Sequence, residues 1–141
     1  MRNYRRKMIH EFTIGACLNQ LEALDDKLEE FLQQAQDMPE PDYARYAIKL
    51  AVHELVTNII RHAYAYRIDG KIDFQLSLSQ GEFSAMLCDC GRQFIPQDVA
   101  DPDLENGQEG GYGIFLIEQL MDQVTYRRIA DENRWHLVKL W

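Results

Sequence analysis

The 141-residue sequence is 46% hydrophobic and 27% charged, the balance of one soluble globular domain large enough to bury a core. Its formal charge of −8 excludes a broad nucleic-acid-binding surface, which needs an excess of Lys and Arg. No run of about 18 apolar residues is available to cross a membrane, and no signal-peptide apolar region follows the basic stretch 1–7. A cytoplasmic protein with a flexible arm at 1–7 is expected.

In chain order, residues 8–14 (MIHEFTI) alternate loosely and predict a strand. Leu18, Leu21, Leu24, Leu28, Phe31, Leu32 and Ala35 then recur at helical spacing, predicting an amphipathic helix over 17–35. Pro39 and Pro41 end it. Asp42 is the expected N-cap of a second helix running over 43–64. Residues 71–79 (KIDFQLSLS) alternate strictly, Gln80-Gly81 turns the chain, and 82–88 (EFSAMLC) returns as the paired strand. A mobile loop is expected over 98–111 and an apolar helix over 113–121. A closing hairpin follows, with strands at 124–129 and 135–141 around a turn at 130–133. The order β-α-α-β-β-loop-α-β-β implies an α+β two-layer sandwich: a mixed, mostly antiparallel sheet with helices packed on one face. Cys17, Cys88 and Cys90 have neither a disulfide-framework nor a zinc-ligand spacing, and are read as reduced thiols.

Three stretches carry candidate chemistry. In the second helix, Glu54 and Asn58 interrupt an apolar run one turn apart on one face, beside a stripe of Ile48, Val52, Leu55 and Ile59. Such a pair is either a solvated Glu with an Asn satisfied in the core, or a site with a ligand. Asp89 follows a strand and precedes Gly91. It is either a turn former bonding its own backbone, or an acceptor for a base amino group with Gly91 admitting the ligand closely. Gly110-Gly111-Tyr112-Gly113 opens a helix. Its glycines either make a loose start or leave N–H groups bare for an anion at the helix N-terminus.

The order and spacing of these three stretches resembles the ATP-binding signature of the gyrase, Hsp90, histidine-kinase and MutL superfamily (the Bergerat fold). More narrowly, HELVTNIIRHAY, DCGRQF and EGGYGIFLIEQLMDQVTY with a terminal LVKLW resemble the anti-sigma-factor serine kinases of bacterial partner-switching systems, from about residue 9 to the end. The resemblance implies ATP and Mg²⁺ as cofactors. It implies Glu54 as general base, Asn58 as a magnesium ligand, Asp89 on the adenine amino group with Gly91 near the base, and Gly111 and Gly113 around the phosphates. Arg61 and His62 lie near the same helix face as further candidates for phosphate contact. The implied partners are a STAS-type anti-sigma-factor antagonist, phosphorylated on Ser or Thr, a sequestered sigma factor, and a second copy of the chain. The homodimer is expected through the first strand and first helix.

The sequence departs from the family pattern at two places. Gln93 stands where many superfamily members have a second glycine. Asn133-Arg134 stands where the family often has Asn-Thr, which removes one expected hydrogen bond near the nucleotide. A non-catalytic nucleotide switch is the competing function, although retention of both Glu54 and Asn58 favours a kinase. A histidine-kinase catalytic domain is not expected without a preceding helix bearing a phosphoacceptor His, nor a gyrase-like ATPase without a second domain.

Overall fold

The protein is described by a computed structural model over residues 7–95 and 112–141. Its elements are β1 (Met8–Gly15), a 3₁₀ turn (Leu18–Gln20), α1 (Leu21–Leu32), α2 (Pro41–Asn58) closed by a π-helical turn (Ile59–Ala63), β2 (Lys71–Ser79), β3 (Glu82–Asp89), α3 (Tyr112–Leu120), β4 (Gln123–Ile129) and β5 (Glu132–Leu140). The expected α+β sandwich is present. The five strands form one sheet in the order β1-β2-β3-β5-β4, and every pairing is antiparallel rather than mixed.

Strand alternation sorts the residues between the two sheet faces. Ile72, Phe74, Leu76 and Leu78 of β2 oppose Asp89, Leu87, Ala85 and Phe83 of β3, and all eight are buried. Trp135 and Leu137 of β5 continue the same face, and Phe12 of β1 stacks on Phe74 with ring centroids 4.8 Å apart. The intervening positions are largely polar, among them Lys71, Asp73 and Gln75 on β2 and Arg134 on β5, and the described helices pack on the other face. Leu24, Leu28, Phe31 and Leu32 of α1 cover it, with Ile48, Val52, Leu55 and Ile59 of the second helix and Ile117 of α3. The apolar stripe read from the sequence is thus the core side of α2.

Helix boundaries differ locally from expectation. The first helix opens as a 3₁₀ turn and its α-helix ends at Leu32. Asp42 is not the N-cap of α2: Glu40 stands there with φ +44°, and Pro41 starts the helix, where its missing N–H costs nothing. Asp42 lies in the first turn, where its charge suits the helix dipole, and accepts from Arg45 at 2.9 Å. At its other end α2 does not run as an α-helix to Tyr64. The Tyr64 N–H bonds the Ile59 carbonyl five residues back at 3.0 Å, which makes the closing π turn. The last turn is also shorter than expected: β5 begins at Glu132, so Asn133 belongs to the strand and is 1% exposed. The expected loop over 98–111, with Gly110 and Gly111, lies outside the described residues.

Candidate nucleotide site

The site grows from the end of the sheet where β3, β5 and β4 finish together. The register sets Asp89 opposite Asn133, and Asn133 opposite Arg128, so three polar residues form a row across the helix-facing side. Asp89 is 2% exposed. Its Oδ1 accepts from the Gly91 N–H at 2.9 Å and from Asn133 Nδ2 at 2.8 Å, while its buried Oδ2 has no partner among the described residues. Burial pushes the Asp89 carboxyl above the usual carboxylate range, against the opposing pull of the Asn133 and Gly91 hydrogen bonds and the Arg128 charge.

The segment after Asp89 is held on two sides. The Arg92 N–H donates to the Ala63 carbonyl at 2.7 Å, fixing it to the π turn. Arg128 donates from Nη1 to the Gly91 carbonyl at 2.8 Å, and Asn133 Nδ2 to the Arg92 carbonyl at 2.9 Å. A Cβ on Gly91 would stand 2.6 Å from the Ala63 carbonyl oxygen, so the close approach that this glycine permits is to the end of α2. Tyr64 completes the junction: its hydroxyl donates to the Lys71 carbonyl at 2.6 Å and accepts from the Cys90 N–H at 2.9 Å.

Between the π turn, this segment and α3 lies a narrow cleft, lined by Asn58, Ile59, His62, Ala63, Arg92, Gln93, Phe94, Ile95, Ile114, Asn133 and Trp135. The lining has the mixture of apolar walls and few polar groups found in small-molecule sites. Phe94, Tyr126 and Trp135 pack as a mutual aromatic cluster with centroids 4.7–5.5 Å apart, and two of the three wall the cleft. Asn58 and His62, four residues apart, bring two buried nitrogens without partners to it, Nδ2 and Nε2. Burial, and then the charges of Arg61 and Arg92, lower the His62 pKa, so its imidazole is neutral at neutral pH. Gly113 opens α3 against Asn58, where a Cβ would stand 2.6 Å from Nδ2.

Asn58 and Asn133 line this cleft; Asp89, Gly91 and Gly113 do not, but Asp89 is hydrogen-bonded to Asn133, Gly91 precedes the lining residue Arg92, and Gly113 packs against Asn58. Glu54 is half-buried on α2 one turn before Asn58 and is not among the lining residues. Gly111 lies outside the described residues. Among the described residues no cluster of three His, Cys, Asp or Glu side chains could cage a metal. Asn58 offers a single carboxamide oxygen, a hard donor that suits a magnesium ion already shared with phosphates and retaining waters. Cys88 offers no reactive thiolate, because burial and a hydrogen bond with Glu132 push its thiol up to about 12.

Three site residues were not singled out by sequence reasoning: Tyr126, Arg128 and Trp135. Asn133 was read as a turn residue whose neighbour Arg134 marked a lost hydrogen bond. Arg134 faces the opposite side of the sheet, exposed, and Asn133 itself makes the bond to Asp89. The alternation of Asn133 with buried Trp135 and Leu137 was the available signal.

A model of the histidine kinase-like ATPase domain matches residues 14–139. Proteins named serine-protein kinase RsbW are similar: that of Oceanobacillus iheyensis is 35% identical over 85 residues, covering 55% of this chain and 54% of the relative. Those of Listeria monocytogenes and Staphylococcus aureus are 35% identical over 86 residues and 36% over 87, each match covering 55% of this chain and 54% of the relative. The chain spans about half the length of the curated relatives it matches. Among solved structures, a Mycobacterium tuberculosis protein comprising RsbU and RsbW domains superposes with a TM-score of 0.67 at 20% identity, over 94% of this chain and 32% of that one. The histidine kinase domain of a blue-light-activated kinase from Erythrobacter litoralis superposes with a TM-score of 0.56 at 21% identity, over 86% of this chain and 59% of that one. At these identities the structural likeness establishes the fold.

Proposed function

Because the chain belongs to the histidine kinase-like ATPase domain family, we propose that it is an ATP-dependent serine/threonine protein kinase of a bacterial partner-switching system. In this reading residues 1–141 form one ATP-binding domain working in the cytoplasm; the arm expected at 1–7 lies, save for Lys7, outside the described residues. Among the described residues no helix is long and apolar enough to cross a membrane. Its substrate is a serine or threonine hydroxyl on a STAS-type anti-sigma-factor antagonist, and it sequesters a sigma factor when the antagonist is not engaged. The similarity to RsbW kinases supports this direction. The observation that supports the site assignment is that two buried atoms lack a hydrogen-bond partner among the described residues: Asn58 Nδ2 in the cleft lining, and Asp89 Oδ2 on a carboxylate bonded to the lining residue Asn133.

The residues have distinct tasks. Asp89 accepts from the amino group of the adenine base, and Gly91 keeps the backbone tight beneath it. Phe94 and Trp135 supply apolar cover for the base, Asn58 supplies an oxygen to magnesium, and Gly111 and Gly113 give the phosphates access to the N-terminus of α3. When bound, Mg-ATP supplies the γ-phosphoryl group and a cation that neutralises its developing charge. The substrate hydroxyl oxygen forms the new bond to the γ-phosphorus, the bond to the bridging oxygen breaks, ADP leaves, and Glu54 takes the hydroxyl proton.

The chain also pairs with a second copy in this reading. β1 is an edge strand with β2 on one side only, and Ile9 and Leu18 are exposed near it.

A switch that binds nucleotide and partner without phosphorylating is the second reading, favoured by the placement of Glu54 outside the cleft lining. One experiment separates the two: Mg-ATP and the antagonist encoded nearby are incubated with wild type and Glu54→Gln, and phosphoserine is measured by mass spectrometry. A kinase phosphorylates the antagonist, and the variant binds ATP normally but turns over about 100-fold more slowly. Absence of phosphoserine with wild type, despite antagonist binding, establishes the passive switch. Loss of ATP binding with per-complex turnover intact would make Glu54 structural.

A further inference from the structure

Asn133 sits at the centre of the polar row, and all its hydrogen-bonding capacity is committed. Its Oδ1 accepts from the Tyr126 hydroxyl and from Arg128 Nη1 at 2.9 Å. Its Nδ2 donates to Asp89 Oδ1 at 2.8 Å and to the Arg92 carbonyl at 2.9 Å. The chemistry of the neighbours fixes which way the amide points. A guanidinium can only donate, and a backbone carbonyl can only accept. A flipped Asn133 would set its NH₂ against Arg128 and its oxygen against the Asp89 carboxylate and the Arg92 carbonyl. The Tyr126 hydroxyl adds a further constraint, because it also accepts from the Phe94 N–H at 3.0 Å and so has its proton free for Asn133.

The consequence falls on Asp89. With the Asn133 NH₂ and the Gly91 N–H both on Oδ1, one carboxylate oxygen is satisfied within the fold and the other is a buried acceptor without a donor among the described residues. We infer that Asn133, held by Arg128 and Tyr126, is the positioning residue for base selection: it fixes Asp89 with Oδ2 as its single open acceptor, which accepts a purine bearing a 6-amino group and rejects one bearing a 6-oxo group. This rests on the reading of Asp89 as the residue that recognises the base. A 6-oxo group at Oδ2 would place two acceptors together in a buried position. A polar site left unpaired in this way discriminates far more strongly than an apolar pocket can by shape.

The test compares ATP with inosine triphosphate, which differs in having the 6-oxo group, by calorimetric titration of the full chain with Mg²⁺. Wild type should prefer ATP by roughly 100-fold. In Asn133→Asp the donor to Asp89 is lost and two carboxyl groups face each other. They cannot both ionise at that distance, so one keeps a proton and the site gains a donor. The ATP-to-ITP preference should then fall to within roughly threefold, mainly through weaker ATP binding. Tyr126→Phe keeps the ring against Phe94 and Trp135 but removes one of the two groups that orient Asn133. It should lower the preference partway, and it carries the decision if Asn133→Asp does not fold. A purely structural role for Asn133 predicts parallel weakening of both nucleotides, with the preference unchanged in both folded variants. That result overturns the inference. Equal binding of ATP and ITP by wild type overturns it too, while leaving the nucleotide site standing; no nucleotide binding by wild type removes the site reading and the inference together.

Discussion

At the scale of single residues, Asp89 shows how a buried carboxyl proposed to bind a ligand weighs on the fold that holds it. Its pKa is raised, chiefly by burial, so the charged form costs more in the folded state than in the unfolded chain. In strong acid both folded and unfolded states are protonated and the residue costs nothing. As pH rises through the ordinary carboxylate range the unfolded chain ionises first and stability is lost; above the folded pKa the loss is complete. Asp89→Asn keeps an acceptor for Gly91 and Asn133 and removes the charge. Thermal melts of nucleotide-free protein from pH 3 to 8 should show the variant gaining on wild type as pH rises, with little difference at the acid end. Calorimetric titration at pH 7.5 should show ATP binding strongly weakened. A variant less stable than wild type at every pH would mean that the Asp89 carboxylate holds the sheet end together rather than burdening it.

At the scale of elements, the two glycines of the site have different neighbours and should fail differently. The Cβ of Gly91→Ala would meet the Ala63 carbonyl oxygen at 2.6 Å, and that carbonyl is backbone already engaged by the Arg92 N–H at 2.7 Å. Neither partner can swing away, so the junction of the π turn with the segment after β3 must open. A loss of about 1–3 kcal/mol is expected, read as a lower midpoint in urea with an unchanged slope. The Cβ of Gly113→Ala would instead meet the end of the Asn58 side chain at 2.6 Å from Nδ2. A side chain can rotate, so Gly113→Ala should cost less stability. Its larger effect should be on Mg-dependent ATP binding, because the group displaced is the proposed magnesium ligand. Equal stability losses with ATP affinity untouched in Gly113→Ala would remove Asn58 from the site.

At the scale of the whole molecule, the sheet has β1 and β4 at its edges among the described residues, and the described helices cover one face. The proposed dimer uses β1 and the α1 side, where Ile9 is 54% exposed and Leu18 49%. Light scattering at tens of micromolar with nucleotide should give twice the monomer mass; a monomer under those conditions counts against it. Nucleotide should also stabilise the whole chain, since a ligand that binds only the native state contributes about 2.7 kcal/mol at a hundredfold excess over its dissociation constant. The ATP-dependent rise in melting temperature should vanish in Asp89→Asn, whose own melting temperature is not lowered at neutral pH.

The sequence by itself determined the elements, because periodicity is local. The strict alternation of 71–79, the two-residue Gln80-Gly81 turn and the apolar stripe of α2 each encode their structure within a few turns of chain. It also determined the family: the spacing of Glu54, Asn58, Asp89, Gly91, Gly111 and Gly113 is a one-dimensional pattern, legible without coordinates. What it did not encode locally was decided by the tertiary structure. Asn133 looks like a turn residue until the β3–β5 register sets it opposite Asp89; Arg128 carries no motif, and Tyr126, the last residue of the EGGYGIFLIEQLMDQVTY run, has no assigned role until β4 brings both to the same amide. Gly91 pointed to a ligand from its place in the chain, whereas packing gives its missing Cβ to the Ala63 carbonyl. Hydrogen bonds across strands depend on register and on which residues a fold places side by side, and those follow from packing over 40 or more positions of chain, as between Asp89 and Asn133, 44 apart.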